Sequence, residues 1–181
     1  MRQYGCTEDE NALRGSAWGI ELLVDRRSAK GLSGWATYSF GKTRSTDIQR
    51  HETFWGDFDQ RHAVTLFGSY RLFDRSNVGV TYRAGTNFPI PGYLTSSDGA
   101  LFIGSRRNEA RLPTYSRLDV RADHQFHYLG RRVTLFAEVL NVLNRENLGL
   151  TNGVVLPTGE AVGFTDTLFP RRATAGLVIE F

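Results

Sequence analysis

The sequence lacks the features of helical membrane proteins, disulfide-rich proteins and secreted precursors. No apolar run approaches the roughly 18–20 residues that a membrane-spanning helix needs, which excludes a helical membrane protein. Cys6 is the only cysteine, which excludes an internal disulfide framework and a cysteine-based zinc site. Residues 1–14 are polar, with Glu8, Asp9 and Glu10 where the apolar core of a signal peptide would lie. Either the protein is cytosolic or this chain lacks its true beginning.

Lysine is also scarce. Among 22 Lys plus Arg residues, only Lys30 and Lys42 are Lys. Arginine forms bidentate pairs with carboxylates and phosphates, which suits a lipopolysaccharide-facing surface, although genome base composition explains the same bias. The formal net charge of +3 is too mild to indicate a nucleic-acid partner, and we expect none.

The sequence is rich in aromatic residues and glycine, and its dominant period is two. Alternation of apolar and polar side chains is typical of β-strands, in which successive side chains point to opposite faces. We expect about seven strands, most of them roughly 9–11 residues long, the length that crosses a membrane when tilted. The alternating segments are 16–25, 64–72, 78–84, 116–126, 133–139 and 173–181, with a less regular one over 32–43.

The predicted connections alternate between two kinds. Short polar turns near 26–31, 74–77 and 129–131 alternate with long loops at about 45–60, 85–114 and 145–170. Short turns at one end and long loops at the other are typical of outer-membrane barrels. The sequence therefore predicts an all-β, antiparallel up-and-down meander. A soluble barrel or sandwich with an aromatic core is the competing interpretation.

The charged face of the strand predicted over 116–126 argues against a soluble barrel or sandwich. Arg117, Asp119, Arg121 and Asp123 share one face, and a narrow dry barrel would not accommodate these charges. Cross-strand ion pairing explains the two carboxylates better than acid–base chemistry does. The sequence has no glycine-rich phosphate loop and no nucleophile elbow, and four scattered histidines offer no metal cluster. We therefore expect no enzyme activity, no metal and no cofactor.

Segments spread over residues 17–181 resemble the C-terminal third of the barrel of TonB-dependent outer-membrane receptors. The last of them ends in an aromatic residue after alternating apolar residues, which is similar to the family's final strand. The segments are 19–24 (GIELLV), 34–40 (GWATYSF), 58–66 (FDQRHAVTL), 68–72 (GSYRL), 83–91 (RAGTNFPIP), 111–121 (RLPTYSRLDVR), 135–147 (LFAEVLNVLNREN) and 169–181 (FPRRATAGLVIEF).

This resemblance implies that residues 16–181 belong to a 22-stranded transmembrane barrel of the bacterial outer membrane, and that residues 1–15 are the remnant of an extracellular loop. It implies a receptor component for active uptake of a siderophore, cobalamin, carbohydrate or similar ligand. The implied partners are outer-membrane lipid and lipopolysaccharide, the barrel-assembly machinery, and the remaining strands and plug. TonB would be reached only through the absent N-terminal part.

The strand count makes a fragment the expected state of the chain. With seven strands the first and last run in the same direction, whereas bacterial single-chain barrels have even strand numbers. We expect the chain to lack the plug and to be inactive alone. The alternative is a small stand-alone outer-membrane barrel with an adhesin or structural role.

The resemblance also implies two sets of site residues. Extracellular loops of such receptors offer aromatic rings for stacking and arginines for acidic groups. The predicted ligand-binding residues are Trp55, Phe58, Phe88, Tyr93, Arg106, Arg107 and Arg111, and the predicted membrane-assembly signal is Ala175, Leu177, Ile179 and Phe181.

Overall fold

Strands are the regular elements of this protein, whose computed structural model describes residues 12–29 and 31–181. In chain order they are β1 (Leu13–Ala29), β2 (Leu32–Asp47), β3 (Glu52–Trp55), β4 (His62–Phe73), β5 (Ser76–Gly85), β6 (Leu94–Ser97), β7 (Ala100–Ile103), β8 (Tyr115–Tyr128), β9 (Arg131–Leu140), β10 (Leu148–Leu150), β11 (Val154–Val155), β12 (Glu160–Val162), β13 (Thr165–Thr167) and β14 (Arg172–Glu180). Within these two ranges no helix is long and apolar enough to cross a membrane.

Seven long strands form one antiparallel sheet in the order β1-β2-β4-β5-β8-β9-β14, and β3 extends it by pairing with the end of β2. Among the seven long strands, each pairs only with the long strand before it and the one after it in sequence, which confirms the predicted up-and-down meander. The sheet does not close on itself within the described ranges, because no pairing joins β1 to β14. Strand lengths of 9 to 17 residues reach well beyond the expected 9–11, since β1 and β2 continue into the loops at one end.

The strand registers confirm the predicted division of the sheet into two faces. Val80 lies opposite Val120, which lies opposite Val139, so these three side chains share a face. Arg121 lies opposite Glu138, and both point to the other side. We call the first side the apolar face and the second the charged face. Residues of the apolar face include Ile20, Leu22, Val24, Ala36, Tyr38, Val64, Leu66, Val78, Val80, Leu118, Val120, Ala122, Leu135, Val139, Leu177 and Ile179.

The apolar face is exposed, which is the reverse of a water-soluble sheet. Leu22, Val24 and Leu177 keep 59%, 67% and 59% of their surface exposed, whereas Asp119 on the charged face keeps only 7%. Exposed contiguous apolar surface marks contact with a partner or a lipid phase. Among the residues that the structure describes, the members of the buried hydrophobic cluster all lie outside this face.

Asp119 connects three strands on the charged face. Its carboxylate accepts hydrogen bonds from Arg83 on β5 at 3.1 Å, from Arg117 at 2.8 Å, and from the backbone N–H of Asn141 after β9 at 2.9 Å. The predicted ion pairing is therefore present at Asp119. The prediction of ion pairing is wrong for Arg121 and Asp123. Asp123 accepts a hydrogen bond from Asn77, and the guanidinium of Arg121 stacks on the ring of Phe136 at 4.2 Å.

The connections separate by length as predicted. Two-residue turns follow β4 and β8, while the connections after β2, β5 and β9 are long and lie at the opposite end of the sheet. The long connections contain strands, which the sequence pattern did not predict. In the four-stranded sheet β11-β12-β7-β6, β7 comes from the connection after β5 and β12 from the connection after β9. We call residues 48–61, 86–114 and 141–171 together the loop layer.

The buried hydrophobic cluster lies in the loop layer. Ile90, Leu94, Ala110, Leu112 and Ala161 are all at most 6% exposed, and Leu101, Leu148 and Phe164 pack against them. Backbone hydrogen bonds from Ile90 to Ala110 and from Ala110 to Leu94 hold the cluster together. The loop layer therefore has a buried apolar cluster of its own.

Three asparagines hold the connection after β9 in place, and one of them, Asn147, joins it to β8 of the sheet. Asn141 is fully buried, adopts a φ of 52°, and donates from its side chain to the carbonyls of Arg145 and Phe169. Asn147 exchanges two hydrogen bonds with the backbone of Ser116, and Asn144 accepts one from the backbone of Arg171. Asparagine tolerates positive φ, and its amide can replace a backbone partner, which explains the asparagine-rich segment after β9.

Candidate ligand-binding cleft

A cleft of about 750 Å³ opens in the loop layer between β3 and the connection that follows β5. It gathers four of the seven predicted ligand-binding residues, namely Trp55, Tyr93, Arg106 and Arg107. Its size falls within the range of small-molecule sites. Its lining residues are Arg44, Arg50, His51, Glu52, Thr53, Phe54, Trp55, Tyr93, Ser105, Arg106, Arg107 and Glu109.

The pairing of β3 with β2 places Trp55 on one wall of the cleft. β3 pairs with β2 so that Trp55 lies directly opposite Arg44, whose guanidinium lies 4.2 Å from the centre of the indole. The guanidinium of Arg61 lies 4.0 Å from the same centre. Such cation–π contacts contribute about 0.5–1 kcal/mol each at exposed sites, and they keep the cations close without neutralising them.

Glu52 holds the other wall in place. It accepts a hydrogen bond from the hydroxyl of Tyr93 at 2.5 Å and one from the backbone N–H of Arg107 at 3.2 Å. Arg50 donates to the Tyr93 hydroxyl at 3.4 Å, and this hydrogen bond raises the pKa of Arg50, so its guanidinium keeps its charge. The Arg107 guanidinium lies 4.2 Å from the centre of the Phe54 ring. One carboxylate therefore fixes two of the residues that carry the cleft's chemistry.

Asn108 fixes the relative position of the two walls. It is fully buried, has a φ of 58°, and donates to the Trp55 carbonyl at 2.7 Å and to the Asp57 carboxylate at 2.6 Å. It also accepts from the backbone N–H of Gly92. The cleft is preorganised because its walls are joined by a buried side chain rather than by mobile surface contacts.

The charge balance of the cleft is positive. Four arginines line it, and within residues 12–29 and 31–181 none of the four forms an ion pair with a carboxylate. Unpaired guanidiniums present planar forks of N–H donors that match carboxylate and phosphate oxygens. The four are Arg44, Arg50, Arg106 and Arg107.

The other three predicted ligand-binding residues lie apart from the cleft lining. Phe58 and Phe88 contact each other edge to face, 6.4 Å between ring centres, and Phe58 is 84% exposed. Arg111 forms an ion pair with Asp59 and donates to the carbonyls of Asp59 and Asn87. Arg111 therefore joins two loop segments, and its donors are directed at the protein.

Asp59 is the centre of that junction. It is fully buried and also accepts hydrogen bonds from Arg61 and from the backbone N–H of Thr43, both at 2.7 Å. Burial acts to raise the pKa of this carboxyl, but the hydrogen bonds from Thr43, Arg61 and Arg111 outweigh burial and lower the pKa below its ordinary value of 3.8. Asp59 is therefore ionised at neutral pH.

The predicted membrane-assembly residues share one strand end. Ala175, Leu177 and Ile179 lie on the apolar face of β14, opposite Ala137, Leu135 and Val133. Phe181 follows the strand and is 96% exposed, with the Arg131 guanidinium 4.3 Å from its ring centre.

Sequence reasoning missed eight of the twelve residues that line the cleft. Arg44, Arg50 and Glu52 lie 54 to 63 residues before Arg106 and Arg107 and meet them only because two long connections fold together. The Glu-Thr-Phe-Trp segment that became β3 was the available signal, since it is a short run of strand-forming residues. In the described part of the chain no group of three or more His, Cys, Asp or Glu side chains is placed to hold a metal ion.

Comparison with protein-family models, with curated proteins and with solved structures finds no significant match to this chain. The resemblance to TonB-dependent receptors therefore stays a prediction.

Proposed function

We propose that this chain forms part of the wall and the ligand-binding surface of an outer-membrane active-transport receptor of the TonB-dependent class. The observation that carries the proposal is the exposed apolar face of a seven-stranded meander in which the paired Asp and Glu residues of the long strands all point to the opposite face. A transmembrane barrel has this arrangement, apolar toward lipid and polar toward the lumen. In the proposal further strands pair with the free edges of β1 and β14, and a 22-stranded barrel of the outer membrane results.

The loop layer supports the receptor part of the proposal. All long connections lie at one end of the sheet and fold into a layer with its own buried cluster, and the cleft lies within it. Four unpaired guanidiniums favour an acidic ligand, because each would gain a charge-assisted hydrogen bond on binding. Uptake energised through TonB would need a plug in addition to these residues.

Cysteine labelling tests the membrane orientation. In a Cys6→Ser background, single Leu66→Cys and Ser69→Cys variants place a thiol on the apolar and the charged face of β4, respectively. The chain is expressed with a secretion signal, and isolated outer membranes are treated with a water-soluble maleimide. We expect Ser69→Cys to react and Leu66→Cys to be protected. Equal labelling at both positions would contradict a lipid-facing apolar face.

Anion binding tests the cleft. With the detergent-solubilised chain we expect citrate to bind and a neutral oligosaccharide not to bind in a calorimetric titration. Arg106→Gln and Arg107→Gln should each weaken citrate binding about tenfold, because a hydrogen bond to a charged group contributes about 1.5–3 kcal/mol. Arg75→Gln, in the short turn after β4, is the matched control and should change nothing.

A further inference from the structure

Two guanidinium groups cover the indole ring of Trp55. The Cζ atom of Arg44 lies 4.2 Å from the ring centre, and the Cζ atom of Arg61 lies 4.0 Å from the same centre. Two guanidiniums cannot both lie this close to one ring centre on a single face, because their nitrogen atoms would clash. Arg44 and Arg61 therefore cover opposite faces of the ring.

Arg61 is anchored behind the ring, on the side away from the cleft. Its Nε donates to the carboxylate of Asp59 at 2.7 Å, and the Asp59 side chain is fully buried. Asp59 is itself held by the backbone N–H of Thr43 on β2. Arg44 lines the cleft, whereas Arg61 does not. The Arg61 guanidinium is therefore fixed, and its charge is balanced, before any ligand binds.

Arg44 differs from Arg61 because it has no carboxylate partner in the part of the chain that the structure describes. The side chains of Glu52, Asp57 and Glu109 line the cleft or the pocket beside it, but none of them forms an ion pair with Arg44. Glu52 and Asp57 accept hydrogen bonds from other residues of the loop layer instead. A guanidinium stacked on a ring keeps its in-plane N–H donors available for the oxygens of a carboxylate or phosphate.

From this arrangement we infer that Trp55 is a platform for Arg44 and that Arg61 is a positioning residue of the cleft. Arg61, held by Asp59, fixes the ring from one side, and the ring fixes the Arg44 guanidinium on the other. The inference rests on the proposed function, since it takes the cleft as the binding site of an acidic ligand. It also narrows the ligand class. Because both faces of Trp55 are covered, a sugar or heteroaromatic ring cannot stack there, whereas an oxyanion can bind the in-plane donors of Arg44.

Acrylamide quenching of tryptophan fluorescence tests whether the ring is covered. Trp18→Phe and Trp35→Phe leave Trp55 as the only tryptophan of the full, detergent-solubilised chain. We expect Arg61→Gln to increase the quenching, because it uncovers one face of the ring. Arg121→Gln is the matched control, since this guanidinium stacks on a ring of the sheet instead, and it should leave the quenching unchanged. Quenching that is the same with and without Arg61→Gln would overturn the inference.

Double-mutant cycles of citrate affinity test the positioning role. In the same detergent, Arg61→Gln should weaken citrate binding about threefold, the factor that corresponds to one exposed cation–π contact. Trp55→Leu should weaken it to the same degree without touching the pair between Arg61 and Asp59. In an Arg44→Gln background neither substitution should weaken binding further, because residues that act through a shared partner are not additive.

Arg107→Gln provides the matched background, because its guanidinium belongs to the cleft but stacks on a different ring, that of Phe54. Arg61→Gln should still weaken citrate binding about threefold there. An equal loss in the Arg44→Gln background would overturn the inference, since Arg61 or Trp55 would then act on the ligand without Arg44. No loss from Arg61→Gln in the parent would also overturn it. A parent chain that does not bind citrate would overturn the proposed acidic-ligand cleft together with this inference.

Discussion

In the seven-stranded sheet one face carries exposed apolar side chains, whereas in the loop layer apolar side chains form a buried cluster. Leu66 and Leu177 in the sheet are 44% and 59% exposed, while Ile90 and Leu94 in the loop layer are 2% and 4% exposed. The sheet is held by an unbroken antiparallel ladder from β1 to β14. The loop layer is held by packing and by side chains such as Asn108 and Asn141 that bond to backbone.

This difference distinguishes the two regions by where their apolar side chains lie. The loop layer buries its apolar residues and satisfies its buried polar side chains, as soluble proteins do. On the apolar face of the sheet, Leu22, Val24 and Leu177 stay exposed. In the proposed membrane setting the free edges of β1 and β14 would need further strands, because each unpaired amide costs several kcal/mol in hydrocarbon. Substitutions of apolar residues should therefore change stability differently in the sheet and in the loop layer.

The largest effect is expected in the cluster of the loop layer. Ile90→Ala should destabilise this layer by about 2–5 kcal/mol, because a large buried aliphatic side chain is lost and a cavity remains. Hydrogen exchange of the backbone amides of Ile90 and Ala110 in the detergent-solubilised chain measures the effect. Ile103→Ala, in the same layer but 60% exposed in the parent, should cost far less. Similar costs at both positions would mean that the cluster is not the stabilising feature.

Leu66→Arg tests whether the apolar face of the sheet contacts lipid. In water an arginine at this half-exposed position would cost little, but at the middle of a bilayer it should cost about 2–4 kcal/mol. Urea unfolding in phosphatidylcholine vesicles and in detergent measures the cost in each medium. Ser69→Arg, on the charged face near Asp119, Asp123 and Glu138, is the control and should be tolerated in both. A cost for Leu66→Arg that is equally small in both media would contradict the lipid contact.

The Asp59 junction provides a pH-dependent comparison within the loop layer. Asp59→Asn should destabilise it by about 1.5–3 kcal/mol at neutral pH, because the amide N–H₂ group faces Arg61 and Arg111 in place of a carboxylate oxygen. The pKa of Asp59 is lowered on folding, so its contribution is complete above its ordinary value of 3.8 and is lost as pH falls through the lower folded value. The stability difference between parent and variant should therefore begin to shrink as pH falls below 3.8, and it should disappear only below the lower folded pKa of Asp59.

Limited proteolysis with an acid-stable protease, from neutral pH to below pH 3.8, measures how readily the loop layer opens in parent and variant. Asp98→Asn is the matched control, because Asp98 is an exposed turn residue of the same layer without an ion pair among residues 12–29 and 31–181. A difference between parent and Asp59→Asn that persisted unchanged into acid would show that charge is not the cause.

The sheet was predictable from sequence and the cleft only in part, for a physical reason. Alternation at period two determines which side of a strand each residue occupies, so residues such as Asp119 and Leu177 could be assigned to faces without any knowledge of their partners. The strands inside the long connections are two to four residues long, too short for a period to be recognised. Glu52 and Tyr93 meet through the folding of two loops, and no local pattern in either segment indicates that contact.

The smallest expected effect lies at the short-turn end, where the sheet has neither loop layer nor buried cluster. Leu129 and Gly130 form the two-residue turn between β8 and β9, with φ values of 50° and 75°. Turns with two positive φ values favour Asn or Gly at the first position, and leucine is strained there. Leu129→Asn should therefore stabilise the hairpin by about 1 kcal/mol in detergent, measured by urea unfolding. Leu129→Ala removes the side chain but keeps the unfavourable φ, so it should give no such gain.

Leu129 is 82% exposed, and a gain in detergent that became a loss in vesicles would mean that this side chain contacts lipid. The apolar face would then extend beyond the strands at the end opposite to the loop layer.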